Sequence, residues 1–507
     1  EGPVTTRAKN RVMIAEGPAG SVAVFPPPTV FFPAREVDTN LGYVWYRKDA
    51  ATAYAIGVKQ ADHEDDPRYL QNYALYNAPP GTLQRMAAYF YLSPGDAAAA
   101  RAAVLAFTRD DTFAPLPGYK TMVNHFHLQF TDRLREAGSL DTPIPDLAAM
   151  KALGLNIIGL SDFHADKLRA RDAGAGRFAD QKDYFEAARR ASDHDFLVAP
   201  WEEPSAFFGG HYNLISPRPI FYSKVRTPGQ PWSEQDPTFG QVYHVGSTDD
   251  VQQLLETENA FWFTAQPRTK SSNGYPDAYL DASFARSDRY LGIAFKPGMG
   301  MDLSESRLAE SRTFDAIDAM NNRYAGSGLR PKYLIGDADT YQKWPHDDLF
   351  PGFVVNYLQL GRVPGPDDDW SPIVKTLRDG RFFVTTGEVF IRNYAVTGRG
   401  RGRKIEADID WTFPLEFVEV VWGDGQEVGA VRGLGLGRQR RLRATGVVDE
   451  LSGGGPPGRS EGVADLAPLS PFTACLRPDF LACIFHPQSA FFPDVRPRNH
   501  GCFGASQ

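Results

Sequence analysis

Two histidines at the end of an apolar stretch are the first residues of this chain that could do chemistry. The stretch reads T-M-V-N-H-F-H and ends at His127. Residues two apart in a β-strand lie on the same side, so His125 and His127 are expected to face the same way. Neutral imidazoles bind zinc, iron and related ions. Because an isolated His-x-His is as typical of two surface histidines as of a metal site, its meaning depends on further ligands downstream.

Further ligand-type side chains lie beside later apolar stretches. They are Asp162 and His164 after L-N-I-I-G-L, Glu202 and Glu203 after F-L-V-A-P, His211 before Y-N-L-I, Gln266 after F-W-F-T, and Asp337 and Asp339 in K-Y-L-I-G-D-A-D. Stretches with helical spacing, such as P-D-L-A-A-M-K-A-L-G, separate the apolar runs. This alternation predicts an α/β fold with a parallel sheet or barrel of βα units. Active sites of such folds form at the carboxyl ends of the strands, which favours a multi-metal site.

The histidines are concentrated in these segments. The chain has ten in total, and four of them lie beside the predicted strand exits. Among the others, His244 in V-Y-H-V-G-S is kept as an alternative ligand. The remaining histidines lack a comparable position and are interpreted as ordinary polar residues.

Composition limits the classes of partner. The chain has 507 residues, of which 42% are hydrophobic and 12% aromatic, as expected for a globular protein of two or three domains. Its net charge of -8 comes from mixed acidic and basic residues, so no nucleic-acid or anionic-membrane partner is expected. No apolar run approaches the roughly 20 residues of a membrane span. We expect a small-molecule substrate; the oligomeric state is open, and a periplasmic or secreted location is slightly favoured over a cytoplasmic one.

The predicted architecture is a distorted βα, TIM-like barrel flanked by small β domains. Residues 1–117 are predicted to form a β-rich N-terminal domain, 118–395 the barrel and 396–430 the start of a β-sandwich. From residue 431 the composition changes to a mixture of Arg, Gly, Pro and Cys, and Cys475, Cys483 and Cys502 are the only cysteines in the chain. We interpret residues 431–507 as a disordered extension or as the product of a shifted reading frame.

The order of these motifs resembles a known superfamily. His-x-His, Asp-x-His, Glu-Glu, Gly-His, x-Pro and Asp-x-Asp follow one another over roughly residues 118–395. This order is similar to that of the PHP (polymerase and histidinol phosphatase) metallohydrolases. The segments L-P-G-Y-K-T-M-V-N-H-F-H, G-G-H-Y-N-L and D-G-R-F-F-V-T-T-G-E most resemble its CehA/McbA branch, typified by carbaryl hydrolase. The resemblance implies a distorted α/β barrel of PHP type that binds two or three divalent metal ions, Zn, Mn or Fe.

The resemblance also implies roles for individual residues. His125 and His127 would bind the first metal ion, and Glu203 would bridge two ions. Glu202 remains a rival for the bridging role, since the register is open by one residue. The further ligands implied by the resemblance are His164, His211, Asp337 and Asp339.

Gln266 departs from the pattern of the superfamily. It stands in A-Q-P-R, where members usually have the histidine of a His-Pro pair. A neutral amide binds such ions weakly, through its oxygen. Either that metal position is altered or empty, or the site is disabled and the protein is a catalytically impaired binding protein. The sequence leaves both alternatives open.

The expected chemistry is hydrolysis. Clustered divalent ions lower the pKa of bound water and polarise the bond under attack, so the nucleophile would be a metal-bound hydroxide. Asp162 is the candidate for taking protons. Arg268, with Lys270, is a candidate for orienting an anionic substrate or stabilising negative charge, and is equally well explained as a solvated loop residue. The branch resemblance favours ester or carbamate bonds, and the superfamily at large favours phosphoesters.

Overall fold

The computed structural model of the chain describes most of the predicted barrel and parts of the flanking regions. The described ranges are 4–7, 13–25, 44–50, 53–58, 89–107, 112–128, 130–162, 174–268, 277–295, 314–325, 327–341, 354–385, 389–399, 402–411, 417–423, 428–434 and 441–447. The three cysteines and everything after residue 447 fall outside these ranges.

The described part of the N-terminal region contains two small antiparallel sheets. One consists of β1 (Val4–Arg7), β4 (Val44–Ala50) and β5 (Ala53–Val58), and the other of β2 (Met13–Gly17), β3 (Gly20–Phe25) and β6 (Tyr89–Ser93). Helix α1 (Ala97–Phe107) packs on the second sheet, where Ala100 and Val104 meet Ala23 and Phe25. These strands lie in the part predicted as β-rich; its boundary at residue 117 stays a prediction.

A nine-stranded sheet forms the centre of the molecule. Its strands are β7 (Tyr119–His127), β8 (Ile157–Leu160), β9 (Leu197–Ala199), β10 (Tyr212–Ile215), β14 (Phe261–Thr264), β15 (Tyr290–Phe295), β16 (Tyr333–Tyr341), β17 (Val355–Gln359) and β18 (Phe382–Thr385). Strands such as β8, β14 and β15 are buried along their whole length. Continuous apolar strands of this kind are typical of parallel sheets that are covered on both faces.

The parallel part of the sheet curls into a half-barrel. Its strand order is β9-β8-β7-β16-β15-β14, and β10 pairs antiparallel with β14 at the end of this path. An isolated bridge between Glu202, just after β9, and Leu214 in β10 links the two ends of the path. The prediction of an α/β fold with a parallel βα sheet is thus confirmed at this level. A complete TIM-like barrel of PHP type remains a prediction.

Side chains from the parallel strands fill the interior of the half-barrel. The interior cluster includes Met122, Ile157, Leu197, Ile215, Phe263, Leu291 and Ile335. Ile373, Val374 and Leu377 of helix α7 (Ser371–Arg378) belong to the same cluster. So does Leu358 of β17, which pairs with Lys120 near the start of β7. Apolar side chains therefore cover the amino ends of the strands, and the carboxyl ends remain for polar residues.

Helices cover the outer face of the half-barrel. They are α2 (Phe130–Glu136), α3 (Pro145–Ala152), α4 (Arg177–Ala191), α5 (Thr248–Thr257) and α6 (Asp315–Tyr324). Two outer clusters form, one from α2, α3 and α4 and the other from α5 and α6. The second cluster also contacts a small sheet of β11 (Phe221–Ser223), β12 (Ser233–Asp236) and β13 (Gly240–His244). Among the described residues, none of the helices has the length and apolar character required to cross a bilayer.

The C-terminal strands lie across the predicted segment boundaries, which stay predictions. Strand β19 (Val389–Arg399) pairs with β20 (Gly402–Trp411), which pairs with β23 (Arg441–Val447), and β21 (Phe417–Gly423) pairs with β22 (Val428–Leu434). The boundary predicted after residue 395 therefore falls inside β19. Strand β22 crosses residue 431, and β23 lies wholly within the segment predicted as atypical. The rest of that segment lies outside the described residues.

Candidate metal centre

The two histidines of β7 lie at the carboxyl end of the strand and are fully buried. The register between β7 and β8 shifts between Val123 and Phe126, so the strand carries a β-bulge around His125. His125 has a φ of 79°, a left-handed conformation that non-glycine residues rarely adopt. The two imidazole rings lie with their centroids 4.9 Å apart. A bulge that redirects a side chain is therefore part of how the rings come together, in addition to the simple alternation along the strand.

The carboxylate of Glu203 contacts both histidines. Its Oε2 lies 3.0 Å from His125 Nε2 and 3.2 Å from His127 Nε2, and all three side chains are buried. Ligand atoms bound tetrahedrally at about 2.0–2.1 Å from one zinc ion are about 3.3 Å apart, which is close to both distances. Two imidazoles and one carboxylate also match the ligand set of catalytic zinc sites with one position left for water or substrate. These three residues could therefore hold a metal ion.

Asp339 faces the same histidines from a second strand. Its Oδ1 lies 3.4 Å from His125 Nε2 and 3.7 Å from His127 Nε2. Asp339 has a φ of 51°, and the pairing of β16 with β7 shifts register between Asp337 and Thr340. A bulge in β16 thus accompanies the bulge in β7. Because the side chain of Asp339 is 18% exposed, it lies on the side of the cluster that solvent can reach.

Asp337 contacts the other nitrogen of His125. Its Oδ2 lies 2.6 Å from His125 Nδ1, and both side chains are fully buried. A carboxylate in this position fixes the orientation and tautomer of a metal-binding histidine. The contact with Nδ1 is the one expected of a residue that positions His125. A role of Asp337 as a direct metal ligand stays a prediction.

Asn213 is a neighbour of this pair that the sequence reasoning missed. Its Nδ2 lies 3.4 Å from Asp337 Oδ2 and 3.3 Å from His125 Nδ1. The signal was present, because Asn213 lies two residues after His211 in G-G-H-Y-N-L and alternation would place both on one side.

His211 and Gln266 contact the second carboxylate oxygen of Glu203, and the two histidines of β7 contact the first. His211 Nδ1 is 3.1 Å from Glu203 Oε1, and the Nε2 atom of Gln266 is 3.3 Å from the same oxygen. Gln266 also donates to Asp339 Oδ2 at 3.0 Å. Five predicted ligand positions and the altered position are therefore brought together: His125, His127, Glu203, His211, Asp339 and Gln266. His164 and Lys270 lie outside the described residues.

Glu202 faces a different environment from Glu203. It forms a buried ion pair with Arg177, accepts a hydrogen bond from Tyr222 Oη at 2.6 Å and accepts another from Gln181 Nε2 at 3.2 Å. Burial raises the pKa of a carboxyl group, but the charge of Arg177 outweighs this and lowers the pKa of Glu202. Of the two adjacent glutamates, Glu203 therefore lies beside the histidines and Glu202 does not.

Interactions within the cluster shift the pKa of His125 and of Glu203 in opposite directions. Burial alone would lower the pKa of His125, but the carboxylates of Glu203, Asp337 and Asp339 raise it well above its ordinary value. Burial alone would raise the pKa of Glu203, but His125 and hydrogen bonds from the surrounding imidazoles lower it well below its usual range. Glu203 is therefore ionised near neutral pH, as a metal ligand must be.

Three other predicted residues have partners elsewhere. Asp162 is buried and accepts backbone hydrogen bonds from Leu128 at 2.7 Å and Phe130 at 2.6 Å, at the start of α2. Arg268 forms a two-pronged ion pair with Asp277, with distances of 2.7 and 2.8 Å. The proposed proton transfer by Asp162 and anion binding by Arg268 stay predictions, and these contacts do not direct either side chain to the cluster.

The third of these residues, His244, lies in the small sheet. Its Nδ1 is 3.2 Å from Ser223 Oγ and its Nε2 is 2.8 Å from Glu234 Oε1. It contacts none of the cluster residues through these bonds, so the alternative ligand role remains without geometric support.

Comparison of the chain with protein-family models, with curated proteins and with solved structures gives no match. The resemblance to metallohydrolases therefore rests on the sequence motifs alone. The geometry provides a buried group of two imidazoles and one carboxylate, with three partly exposed polar side chains beside it.

Proposed function

We propose that the protein is a metal-dependent hydrolase that cleaves ester or carbamate bonds of small molecules. The observation that carries this proposal is the buried group of His125, His127 and Glu203 at the carboxyl end of a curled parallel sheet. The motif order that resembles the PHP superfamily supports the same assignment. His211, Gln266 and Asp339 are partly exposed beside this group, so a substrate could approach from their side.

The residues of the chain have distinct parts in this proposal. His125, His127 and Glu203 would hold a Zn, Mn or Fe ion, which when bound lowers the pKa of water and polarises the bond under attack. Asp337 keeps the His125 ring in one orientation through its contact with Nδ1. Burial of these side chains shields their charges from solvent, which strengthens their electrostatic interactions.

The charge around the cluster favours an uncharged ester or carbamate over a phosphoester. Glu203, Asp337 and Asp339 place three carboxylates beside the two histidines. Arg268, the cation predicted to orient an anionic substrate, is bound to Asp277. Even with one divalent ion bound, the three carboxylates would leave the centre with a net negative charge, which disfavours a phosphate dianion. Phosphoester hydrolysis is kept as the alternative because the superfamily resemblance implies it.

Metal analysis combined with a substrate panel tests the proposal. Purified protein is assayed for bound metal and for hydrolysis of an aryl carbamate, an aryl ester and an aryl phosphate, before and after chelation and reloading. We expect at least one metal ion per chain and metal-dependent turnover of the carbamate or the ester. The variant His127→Ala is expected to lose both metal and activity, while His194→Ala, at an exposed histidine, keeps them.

The other outcomes separate the alternatives. Turnover of the phosphate alone would replace the ester and carbamate assignment with a phosphoesterase. Metal binding without turnover of any substrate would favour a catalytically impaired binding protein. Less than one metal ion per chain together with no turnover would exclude a metallohydrolase.

A further inference from the structure

The side-chain amide of Gln266 lies between two carboxylates of the candidate metal centre. Its Nε2 is 3.3 Å from Glu203 Oε1 and 3.0 Å from Asp339 Oδ2. Ionised carboxylate oxygens only accept hydrogen bonds, and an amide NH2 group has two hydrogens to donate. The chemistry of the neighbours therefore requires Gln266 to present its nitrogen, and not its oxygen, to both groups.

The carboxylates of Glu203 and Asp339 each face two adjacent sites, one beside the histidines of β7 and the other beside Gln266. Glu203 and Asp339 each direct one oxygen towards the histidines of β7 and the other towards Gln266. Carboxylates that face two positions at once are suited to holding two cations close together, as in two-metal hydrolases. In this chain the second position contains N–H donors, from Gln266 and from the His211 ring, whose Nδ1 lies 3.1 Å from Glu203 Oε1.

We propose that Gln266 takes the place of a second cation by donating hydrogen bonds to Glu203 and Asp339, and that it limits the centre to one metal ion. This inference rests on the proposed metal-dependent function. To bind a cation, the amide would have to turn its oxygen inward and give up both hydrogen bonds. A neutral amide oxygen is also a weaker ligand for such ions than imidazole or carboxylate. The hydrogen bonds donated by Gln266 therefore stabilise the site more than metal binding by its oxygen would.

Metal stoichiometry tests this proposal without relying on activity. Wild type, Gln266→His and Gln266→Glu are stripped of metal, titrated with Zn²⁺ by calorimetry and analysed for bound metal after removal of excess ion. We expect one Zn²⁺ per chain in wild type and two in both variants, because each variant places a good ligand beside Glu203 and Asp339. The control Gln235→His, on an exposed position of β12, is expected to bind one.

A second measurement covers the case in which one variant folds poorly. Metal-free Gln266→Glu places three carboxylates together and is expected to melt at a lower temperature than metal-free wild type. It should therefore gain more from added Zn²⁺ than wild type does. Two Zn²⁺ ions in wild type, or one in both folded variants, would overturn the proposal. No bound Zn²⁺ in wild type would instead remove the metal-dependent function on which it rests.

Discussion

Glu202 and Glu203 are adjacent in the chain, yet their carboxylates lie in different surroundings. Glu203 faces the histidines of β7, and Glu202 faces Arg177 and Tyr222. The sequence resemblance favoured Glu203 as the glutamate beside the histidines but left Glu202 as a rival. That choice depends on how the chain leaves the strand and pairs with Leu214, which local patterns do not encode.

Paired substitutions of these glutamates should separate metal binding from stability. Glu203→Gln is expected to lose metal binding at micromolar Zn²⁺ because a neutral amide replaces the ionised ligand. Glu202→Gln is expected to bind metal with unchanged stoichiometry but to lower the free energy of unfolding by about 3 kcal/mol, since it leaves Arg177 buried without its charged partner. Metal analysis and thermal unfolding of both variants check this. Loss of metal from Glu202→Gln in a folded protein would contradict it.

Asp337 gives a second test at the same scale. Asp337→Asn keeps the shape of the side chain but weakens its hold on His125 Nδ1, so we expect Zn²⁺ affinity to fall about 10–100-fold with the stoichiometry unchanged. Calorimetric titration measures both quantities. The control is Asp368→Asn, an aspartate that pairs with Arg362 at the surface. Loss of stoichiometric binding would make Asp337 a direct ligand, and an unchanged affinity would leave it no positioning role.

At the scale of single elements, the apolar pattern located the strands but not their irregularities. The runs that became β7, β8, β14 and β16 were identified, and so was the recurrence of polar residues beside them. The bulges near His125 and Asp339 were not predicted. A bulge is defined by the register between two strands that are distant in the sequence, and the positive φ values follow from that pairing. Local periodicity carries no information about either.

A buried lysine before β16 predicts a pH-dependent contribution to stability. Lys332 is fully buried and donates to the carbonyls of Ser287 and Tyr290 at 3.1 and 2.7 Å. Burial lowers its pKa to about 7, with Arg330 acting in the same direction and Asp288 opposing it. Its pKa in the unfolded chain is about 10.4. Between these values the unfolded state binds more protons than the folded state, so stability increases as pH rises from about 7 to about 10.

The comparison that tests this uses Lys332→Met. The free energy of unfolding of wild type relative to the variant should be flat below pH 7 and should rise above it, by at most about 1.4 kcal/mol per pH unit. Denaturant titrations at pH 6, 7, 8 and 9 measure the difference. Lys375→Met, at an exposed lysine of α7, serves as the control and should run parallel to wild type. Parallel curves for Lys332→Met would show that Lys332 does not titrate in this range.

At the scale of the whole molecule, the candidate centre depends on elements that are far apart in the sequence. His125 comes from β7, Glu203 follows β9, and Asp339 comes from β16. The predicted βα alternation was sufficient to place these residues at one end of a sheet. The bridge between Glu202 and Leu214, which links the ends of the curled sheet, could not be predicted because a single isolated pair of residues has no periodic signature in the sequence.

A metal ion bound by residues from several strands should stabilise the whole fold. Ligands that bind only the folded state raise stability by mass action, by about 2.7 kcal/mol at a hundred times the dissociation constant. We therefore expect chelation to lower the melting temperature of wild type and added Zn²⁺ to restore it. His125→Ala, without one of the ligands, should show neither change. An equal response of wild type and this variant to Zn²⁺ would place the stabilising site elsewhere.

The contact between His125 and Asp337 also limits when the centre can be completed during synthesis. These residues are 212 positions apart, and Glu203 lies between them in the chain. A ribosome-bound chain that has released β7 and β9 presents both imidazoles and Glu203, but the group that orients the His125 ring has not yet been made. Closing a loop of this length is also a slow step of folding. If the centre binds a metal ion as proposed, we expect uptake at full affinity only in the finished or nearly finished chain.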